Sequence, residues 1–107
     1  MTESDFNSLV DDTLLEIEDC LEEAETDIDY MTVGGVLTVS CEGGAQIIFT
    51  RQITTMQLWI AAPSGGFHFD FSGADSGWQR DSDGQSLTAF LVATFAEFAG
   101  ETLSFEL

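Results

Sequence analysis

The sequence contains no lysine, two arginines (Arg51 and Arg80) and one histidine, against twenty aspartate and glutamate residues, which gives a formal net charge of −18. Nucleic-acid binding requires the neutralisation of several phosphates, which two arginines cannot provide. An anionic membrane surface would repel the chain for the same reason. The shortage of cations therefore excludes both kinds of surface as ordinary partners and favours metal cations or a basic protein as ligands.

The chain is also poor in features of export or membrane insertion. Its first residues lack the basic start and apolar stretch of a signal peptide, and no apolar run approaches the ~18 residues that span a bilayer. Cys20 and Cys41 form no C-x-x-C pair. We expect two reduced thiols, with a structural disulfide as the alternative, and a cytoplasmic location.

What is present is enough for an ordinary hydrophobic core. The chain has 107 residues, of which 44% are hydrophobic, and nine of these are phenylalanine. A disordered acidic tail would be poor in aromatic residues. The length predicts one domain spanning residues 1–107.

Apolar spacing predicts two helices, at residues 4–24 and 86–98. Thr2 or Ser4 can cap the first helix, and Gly100 can end the second. The second helix carries alanine and valine instead of charges on its outer face, so this face is either exposed or covered by another segment. The alternating tail residues Leu103, Phe105 and Leu107 can pack against the helices.

The centre of the chain changes to period two, which is typical of strands. The predicted strands are 28–33, 36–41, 45–51, 56–61, 66–72 and 77–80. Glycine pairs at 34–35 and 43–44 predict tight hairpins, and 63–66 predicts another turn. The order of helix, strands and helix predicts an α+β fold of two layers. Two roughly parallel helices, N- and C-terminal, cover one face of a five- to six-stranded antiparallel sheet.

The acidic residues are concentrated at the start of the chain, where the first 29 residues hold twelve of the twenty acids and no base. On the first helix they form two adjacent rows opposite the apolar stripe. The first row is Asp11, Glu18, Glu22 and Glu25, and the second is Asp12, Glu16, Asp19 and Glu23. Like charges four residues apart each cost about 0.2–0.5 kcal/mol, so this arrangement needs a reason.

Three explanations of the acidic rows are open. The face can be an adaptation to an unusual solvent, such as high salt or cold, which the absence of lysine favours. It can bind cations, because carboxylate oxygens are hard ligands. It can also dock on a basic protein surface, which is compatible with cation binding. The sequence contains no EF-hand loop and no E-x-x-H motif, so any metal site would be shallow and formed by oxygen ligands alone.

A series of short motifs runs through nearly the whole chain in a fixed order. It begins at Ser4-Asp5-Phe6, continues through Asp27-Ile28-Asp29 and reaches Gly34-Gly35-Val36-Leu37-Thr38. The most specific segments are Gln57-Leu58-Trp59-Ile60-Ala61 and Gly65-Gly66-Phe67-His68-Phe69-Asp70. The series ends with Trp78, Arg80-Asp81, Gly84 and the segment from Ala99 to Phe105. On these motifs the sequence from Ser4 to Phe105 resembles the frataxin family, and most of all its short bacterial members.

The resemblance implies a weak iron site and a role in iron–sulfur cluster assembly. Family members bind Fe²⁺ and Fe³⁺ through acidic residues and contact the cysteine desulfurase and the scaffold protein, as regulators of the desulfurase and as iron donors. By position, the implied metal-binding residues, here called the acidic ridge, are Glu18, Asp19, Glu22, Glu23, Glu25, Asp27 and Asp29. Implied partner contacts are Asp11, Asp12, Glu18, Asp19, Glu22, Glu23 and Trp59. We expect a monomer when iron is absent.

Other residues carry weaker hypotheses. Trp59 shares the solvent-facing side of its strand with Gln57, which suits a partner contact, although packing on the sheet is the alternative. His68 and Asp70 share a face and are a weak secondary metal hypothesis. We expect Trp78 to pack locally and both arginines to pair with acids. The sequence shows no catalytic constellation, so we expect no enzyme. The alternative function is an acidic decoy that binds a basic protein without any metal.

Overall fold

The computed structural model describes residues 1–73, 75–105 and 107. It contains two helices and six strands, in the order α1 (Glu3–Glu22), β1 (Ile28–Val33), β2 (Val36–Cys41), β3 (Gln46–Gln52), β4 (Gln57–Ala62), β5 (Gly65–Phe71), β6 (Trp78–Arg80) and α2 (Leu87–Phe98). Each predicted helix and strand is present, with ends within two residues of the predicted ones.

Helix α1 begins at a capping box. The Thr2 hydroxyl accepts the amide of Asp5, and the Asp5 carboxylate accepts the amide of Thr2, so two N–H groups without helical partners are satisfied. The apolar stripe is buried as predicted, from Phe6 to Leu21. The helix ends two residues before the predicted end because the amides of Glu23 and Ala24 bond three residues back, which tightens the last turn.

The six strands form one antiparallel sheet in chain order, β1-β2-β3-β4-β5-β6. Gly34 and Gly35 make the two-residue turn between β1 and β2 with φ of 60° and 79°, a region that favours glycine. The predicted turn at 63–66 is wrong in extent. Gly65 and Gly66 belong to β5 and pair with Ala62 and Ala61, so residues 63–64 alone make the turn.

Both helices pack on one face of the sheet, as predicted. In α1, Phe6 packs edge-on against Trp78 of β6 at 6.2 Å, and in α2, Phe90 lies 5.2 Å from Phe69 of β5. Trp78 is 4% exposed and donates its indole N–H to the Thr13 hydroxyl at 3.1 Å. The prediction that this tryptophan packs locally is therefore confirmed.

After α2 the chain turns back towards α1. Gly100 has a φ of 70° directly after the cap residue Ala99. The tail residues Leu103 and Phe105 are buried as predicted, with Phe105 lying 5.6 Å from Phe95. On the outer face of α2, three alanines are exposed and Val92 is half-buried: Ala89, Ala93 and Ala96. The return of the chain brings Glu101 to the end of α1.

Among the described residues, no helix is long and apolar enough to cross a membrane.

Candidate metal and partner-binding surfaces

Three of the four residues in the first acidic row lie on α1 and are bound to the sheet beneath it, whereas Glu25 lies beyond the end of the helix. Asp11 forms an ion pair with Arg51 of β3 at 2.7 Å. Glu18 accepts a hydrogen bond from the hydroxyl of Thr32, and Glu22 accepts one from the phenol of Tyr30. These hydroxyl donors fix the orientation of the two glutamates while leaving each a second carboxylate oxygen.

The pKa of Tyr30 reflects the negative charge around this row. Its hydrogen bond to Glu22, some desolvation and the charges of Glu22, Glu18 and Asp19 together raise its pKa to about 12. Removing the phenolic proton would place another negative charge among carboxylates, which explains the direction. The same potential favours an approaching cation.

The second acidic row has no such partners. Within the described part of the chain, its members make no side-chain hydrogen bond or ion pair: Asp12, Glu16, Asp19 and Glu23. All four are exposed. Together with Cys20 and Ser104, three of them line a groove of about 280 Å³ between α1 and the tail. The carboxylates of this row are therefore accessible to an external ligand.

Glu101, for which the sequence suggested no function, holds the segment that joins α1 to β1. Its carboxylate accepts the amide of Glu25 at 3.0 and 3.1 Å and the amide of Thr26 at 2.8 Å. It also accepts the hydroxyl of Thr26 at 2.7 Å. The amide of Glu25, then the hydroxyl and amide of Thr26, lower the pKa of this carboxyl. The only sequence signal was an acid directly after the glycine that ends α2.

The remaining ridge residues lie on this segment and on β1. Glu25, Asp27 and Asp29 are all exposed. Asp29 lines a hollow of about 490 Å³ with Glu22 and Tyr30, between the end of α1 and the start of β1. The structure thus brings Asp29 and Glu22 to one depression, although they lie on different elements.

The acidic ridge does not form a closed metal cage. Across residues 1–73, 75–105 and 107, no group of three or more histidine, cysteine, aspartate or glutamate side chains is placed to hold a metal ion. The donor chemistry fits a hard cation, since every ridge ligand is a carboxylate oxygen. Any ion bound here would keep part of its water shell and exchange readily.

Both arginines pair with acids, as predicted. Besides its bond to Asp11, Arg51 donates to the side chain of Asn7 at 3.2 Å. Arg80 makes two bonds to Asp83, at 2.6 and 2.9 Å, and these lower the pKa of the Asp83 carboxyl to about 2. Neither cation neutralises the second acidic row. The thiols Cys20 and Cys41 are not joined in a disulfide, and burial raises the pKa of Cys41.

Trp59 lies half-buried on the sheet face opposite the helices. Its ring stacks on His68 at 4.3 Å with a 20° angle between the planes, and its N–H donates to Gln57 at 3.0 Å. Gln57 in turn donates to Asp70 at 3.1 Å. The indole is therefore held in place, and its N–H is engaged within the molecule. A partner contact at Trp59 stays a prediction.

The two residues of the secondary metal hypothesis have different neighbours. His68 Nδ1 lies 3.5 Å from the carboxylate of Asp81, a residue that the metal hypothesis did not include. Asp70 is engaged by the amide of Gln57. The metal role of His68 and Asp70 stays a prediction, and Asp81 is the acid nearest to the imidazole.

Comparison with known proteins gives the family. A family model described as a frataxin-like domain matches residues 1–101. A curated relative from Pseudomonas syringae pv. tomato, named iron-sulfur cluster assembly protein CyaY, is 46% identical over 98% of this chain and 96% of its own length. Its namesake from Azotobacter vinelandii is 43% identical over the same shares of the two chains.

A solved structure agrees with these matches. The frataxin from Psychromonas ingrahamii, described as a model for stability modulation in the CyaY protein family, superposes with a TM-score of 0.91 at 32% identity, covering all of both chains. The chain belongs to the frataxin family, as the sequence motifs indicated.

Proposed function

We propose that this protein is an iron-binding accessory protein of iron–sulfur cluster assembly. The support is twofold. Curated relatives that match nearly the whole chain carry the name of that process, and α1 presents a row of exposed carboxylates without internal partners. This second acidic row is the observation that carries the proposal, because structural acids would be paired, as Asp11 is.

The proposed iron chemistry is loose chelation. Asp19 in α1 and Glu23 at its C-cap are four residues apart, and Glu23 keeps an αR backbone, so their side chains are neighbours. Glu18 and Glu22 are oriented by hydroxyl donors next to them. Carboxylate oxygens alone hold a hard ion weakly, which suits a protein that carries Fe²⁺ or Fe³⁺ and releases it to another component.

The proposed partners are the cysteine desulfurase and the iron–sulfur scaffold protein. The desulfurase would dock a basic patch on the ridge and its extension, Asp11 and Asp12, so that iron and partner influence each other and the protein regulates the desulfurase. Of the two extension residues, Asp12 has the less engaged carboxylate, because Asp11 is paired with Arg51. The scaffold would contact the indole face of Trp59 on the opposite side of the molecule.

One observation favours a second function. No three candidate metal ligands converge in the described residues. The same acids would therefore also suit an acidic decoy, a protein that binds a basic partner without metal. Binding of the desulfurase with and without iron separates the two functions. A decoy would bind equally well in both conditions.

The test is an anaerobic NMR titration of ¹⁵N-labelled protein with Fe²⁺, with Ca²⁺ at matched ionic strength as the control ion. We expect paramagnetic signal loss confined to about residues 16–29. The variant Asp19→Asn with Glu23→Asn should weaken this loss severalfold. The matched variant Glu42→Gln with Glu97→Gln removes the same charge from exposed sites elsewhere and should leave it unchanged. Diffuse loss, equal in both variants, would contradict an iron site on the ridge.

A further inference from the structure

Strand β1 forms an edge of the sheet. In the described sheet order it pairs with β2 alone, in continuous register from Ile28↔Cys41 to Val33↔Val36 without a bulge. Every second residue of an antiparallel strand turns its N–H and C=O away from its neighbour. Half of β1 therefore presents backbone donors and acceptors on its outer side.

Most of this edge lacks the usual protection against pairing, since Asp29 near its start is the one charged residue of β1. Proteins blunt exposed edges with charges, proline, bulges or a covering segment. From Tyr30 to Val36 the sequence has no charged residue and no proline. Met31 and Val33 are each 64% exposed, and neighbouring Leu15 of α1 is 57% exposed. Apart from Met1, these are the exposed large hydrophobic residues of the described chain.

A groove runs beside this edge on the helix side. It has a volume of about 360 Å³ and is lined by α1 and by the β1–β2 hairpin, with Leu15, Thr32 and Gly35 among its walls. Met31 and Val33 project from the opposite side of β1, because side chains alternate along a strand. An added strand would therefore find apolar contacts on both of its faces.

The charge around the β1 edge determines which kind of segment can pair with it. Asp11, Glu18 and Arg51 line the groove, and Asp29 lies near the start of β1. Arg51 is paired with Asp11, so Glu18 and Asp29 are the acids here that have no cationic partner in the described part of the chain. A second copy of the chain would bring another net charge of −18 to the same place and be repelled. A segment carrying lysine or arginine would be attracted, so the charge acts against self-pairing and in favour of a basic strand.

We propose that the β1 edge binds an extended segment of a partner protein as a seventh strand, with apolar and basic residues alternating in that segment. Main-chain hydrogen bonds would provide affinity. Met31 and Val33 would contact the apolar side chains on one face of the segment, and its basic side chains would lie on the other face, towards Glu18. This docking surface adjoins the acidic ridge and shares Glu18 and Asp29 with it, but the pairing of strands does not require bound iron.

The test uses an acetylated and amidated peptide of four Lys-Val repeats as the probe, with binding followed by ¹⁵N NMR and calorimetry. We expect shift changes centred on residues 28–33 and slowed hydrogen exchange of β1 amides. The variant Met31→Glu with Val33→Glu should lose at least about tenfold in affinity, as two apolar side chains are no longer buried. This loss would occur although the variant is two charges more negative.

The matched control is Thr54→Glu with Ser64→Glu, which adds the same charge in exposed turns and should bind at least as well as the parent. The same peptide N-methylated at alternate residues keeps its charge and should bind much more weakly.

Equal or tighter binding by the Met31/Val33 variant would overturn the proposal in favour of charge alone. A dimer of the protein by sedimentation, abolished in that variant, would overturn it in favour of a second copy. The Fe²⁺ titration tests the proposed function separately, because Met31 and Val33 are not residues of the acidic ridge.

Discussion

At the scale of single residues, Glu101 joins two distant segments of the chain. It stands in the tail after α2, and it accepts hydrogen bonds from the segment between α1 and β1. That segment carries Glu25 and Asp27 of the acidic ridge. The position of these two carboxylates therefore depends on an acid 75 residues away that takes no part in the predicted site.

We expect Glu101→Gln to destabilise the fold at neutral pH and to speed amide exchange at Glu25 and Thr26. The pKa of Glu101 is lowered in the folded state, so its contribution is complete above the unfolded value of ~4.3 and is lost as pH falls through the folded pKa. In urea unfolding from pH 7 to pH 3, the stability difference between parent and variant should be constant above about pH 5 and shrink below about pH 4.

Glu97→Gln is the matched control, because Glu97 is an exposed acid of α2 just before the tail. It should leave the exchange at Glu25 and Thr26 unchanged. A stability difference for Glu101→Gln that grows on acidification would show that the Glu101 carboxylate does not hold this segment.

The sequence predicts individual acids well but not their partners. Helical spacing alone places Glu18 and Glu22 in one row, and the structure confirms their shared direction towards β1. The hydroxyls that bind them, from Thr32 and Tyr30, lie across a loop whose geometry no local pattern determines. The approach of Glu101 depends likewise on how the tail packs over the whole fold.

At the scale of elements, α1 has a stabilising N-terminal cap but an outer face on which like charges repel each other. Its capping box and buried stripe stabilise it. Its outer face places Asp12 and Glu16, and again Asp19 and Glu23, four residues apart with no cation between them. The helix is therefore maintained by its packing and its cap against its own surface charge.

We expect Glu16→Lys to raise the free energy of unfolding by about 0.5–1 kcal/mol, because it removes one repulsion and gives Asp12 and Asp19 a cation at helical spacing. The change lies outside the acidic ridge. Glu97→Lys in α2 makes the same change in net charge and is the matched control. Denaturant unfolding at low ionic strength measures both, and the gain should shrink in about 1 M salt. An equal gain in the two variants would mean that net charge, not the α1 row, limits stability.

The period of the hydrophobic pattern predicted every element, and the remaining errors lie at the ends. Two glycines at 65–66 suggest a turn, yet they continue a strand because Ala61 and Ala62 pair with them. The end of α1 is set by backbone bonds that tighten its last turn rather than by a glycine or proline. Such outcomes depend on pairing between segments, which the local sequence does not encode.

At the scale of the whole molecule, the acids are unevenly distributed. Twelve of them lie within residues 1–29, on α1, the segment after it and the start of β1. The sheet face opposite the helices carries Trp59 and the exposed Met31 and Val33, with Asp29 and Asp70 among its acids. The proposed binding surfaces are the acidic ridge, the β1 edge that adjoins it and the area around Trp59.

A net charge of −18 on a chain of this size should destabilise the compact state by self-repulsion. We expect the free energy of unfolding to rise by about 1–2 kcal/mol between 0.05 and 0.5 M NaCl, a shift in Tm on the order of 5–10 °C. The physical reason is that the screening length falls from above 10 Å to a few ångströms over this range.

Thermal unfolding in NaCl and KCl at equal concentrations provides the measurement and its control. Equal curves in the two salts would assign the gain to screening, whereas a gain confined to one salt would indicate a specific ion site. A flat response would contradict self-repulsion and show that the acids are accommodated by the fold. Fe²⁺ binding by the Asp19/Glu23 variant distinguishes the ridge from the general acidity of the chain. Screening by salt acts on all twenty acids, whereas chelation needs neighbouring carboxylates. A large loss of Fe²⁺ binding in this variant that does not change with salt would therefore assign the binding to the ridge.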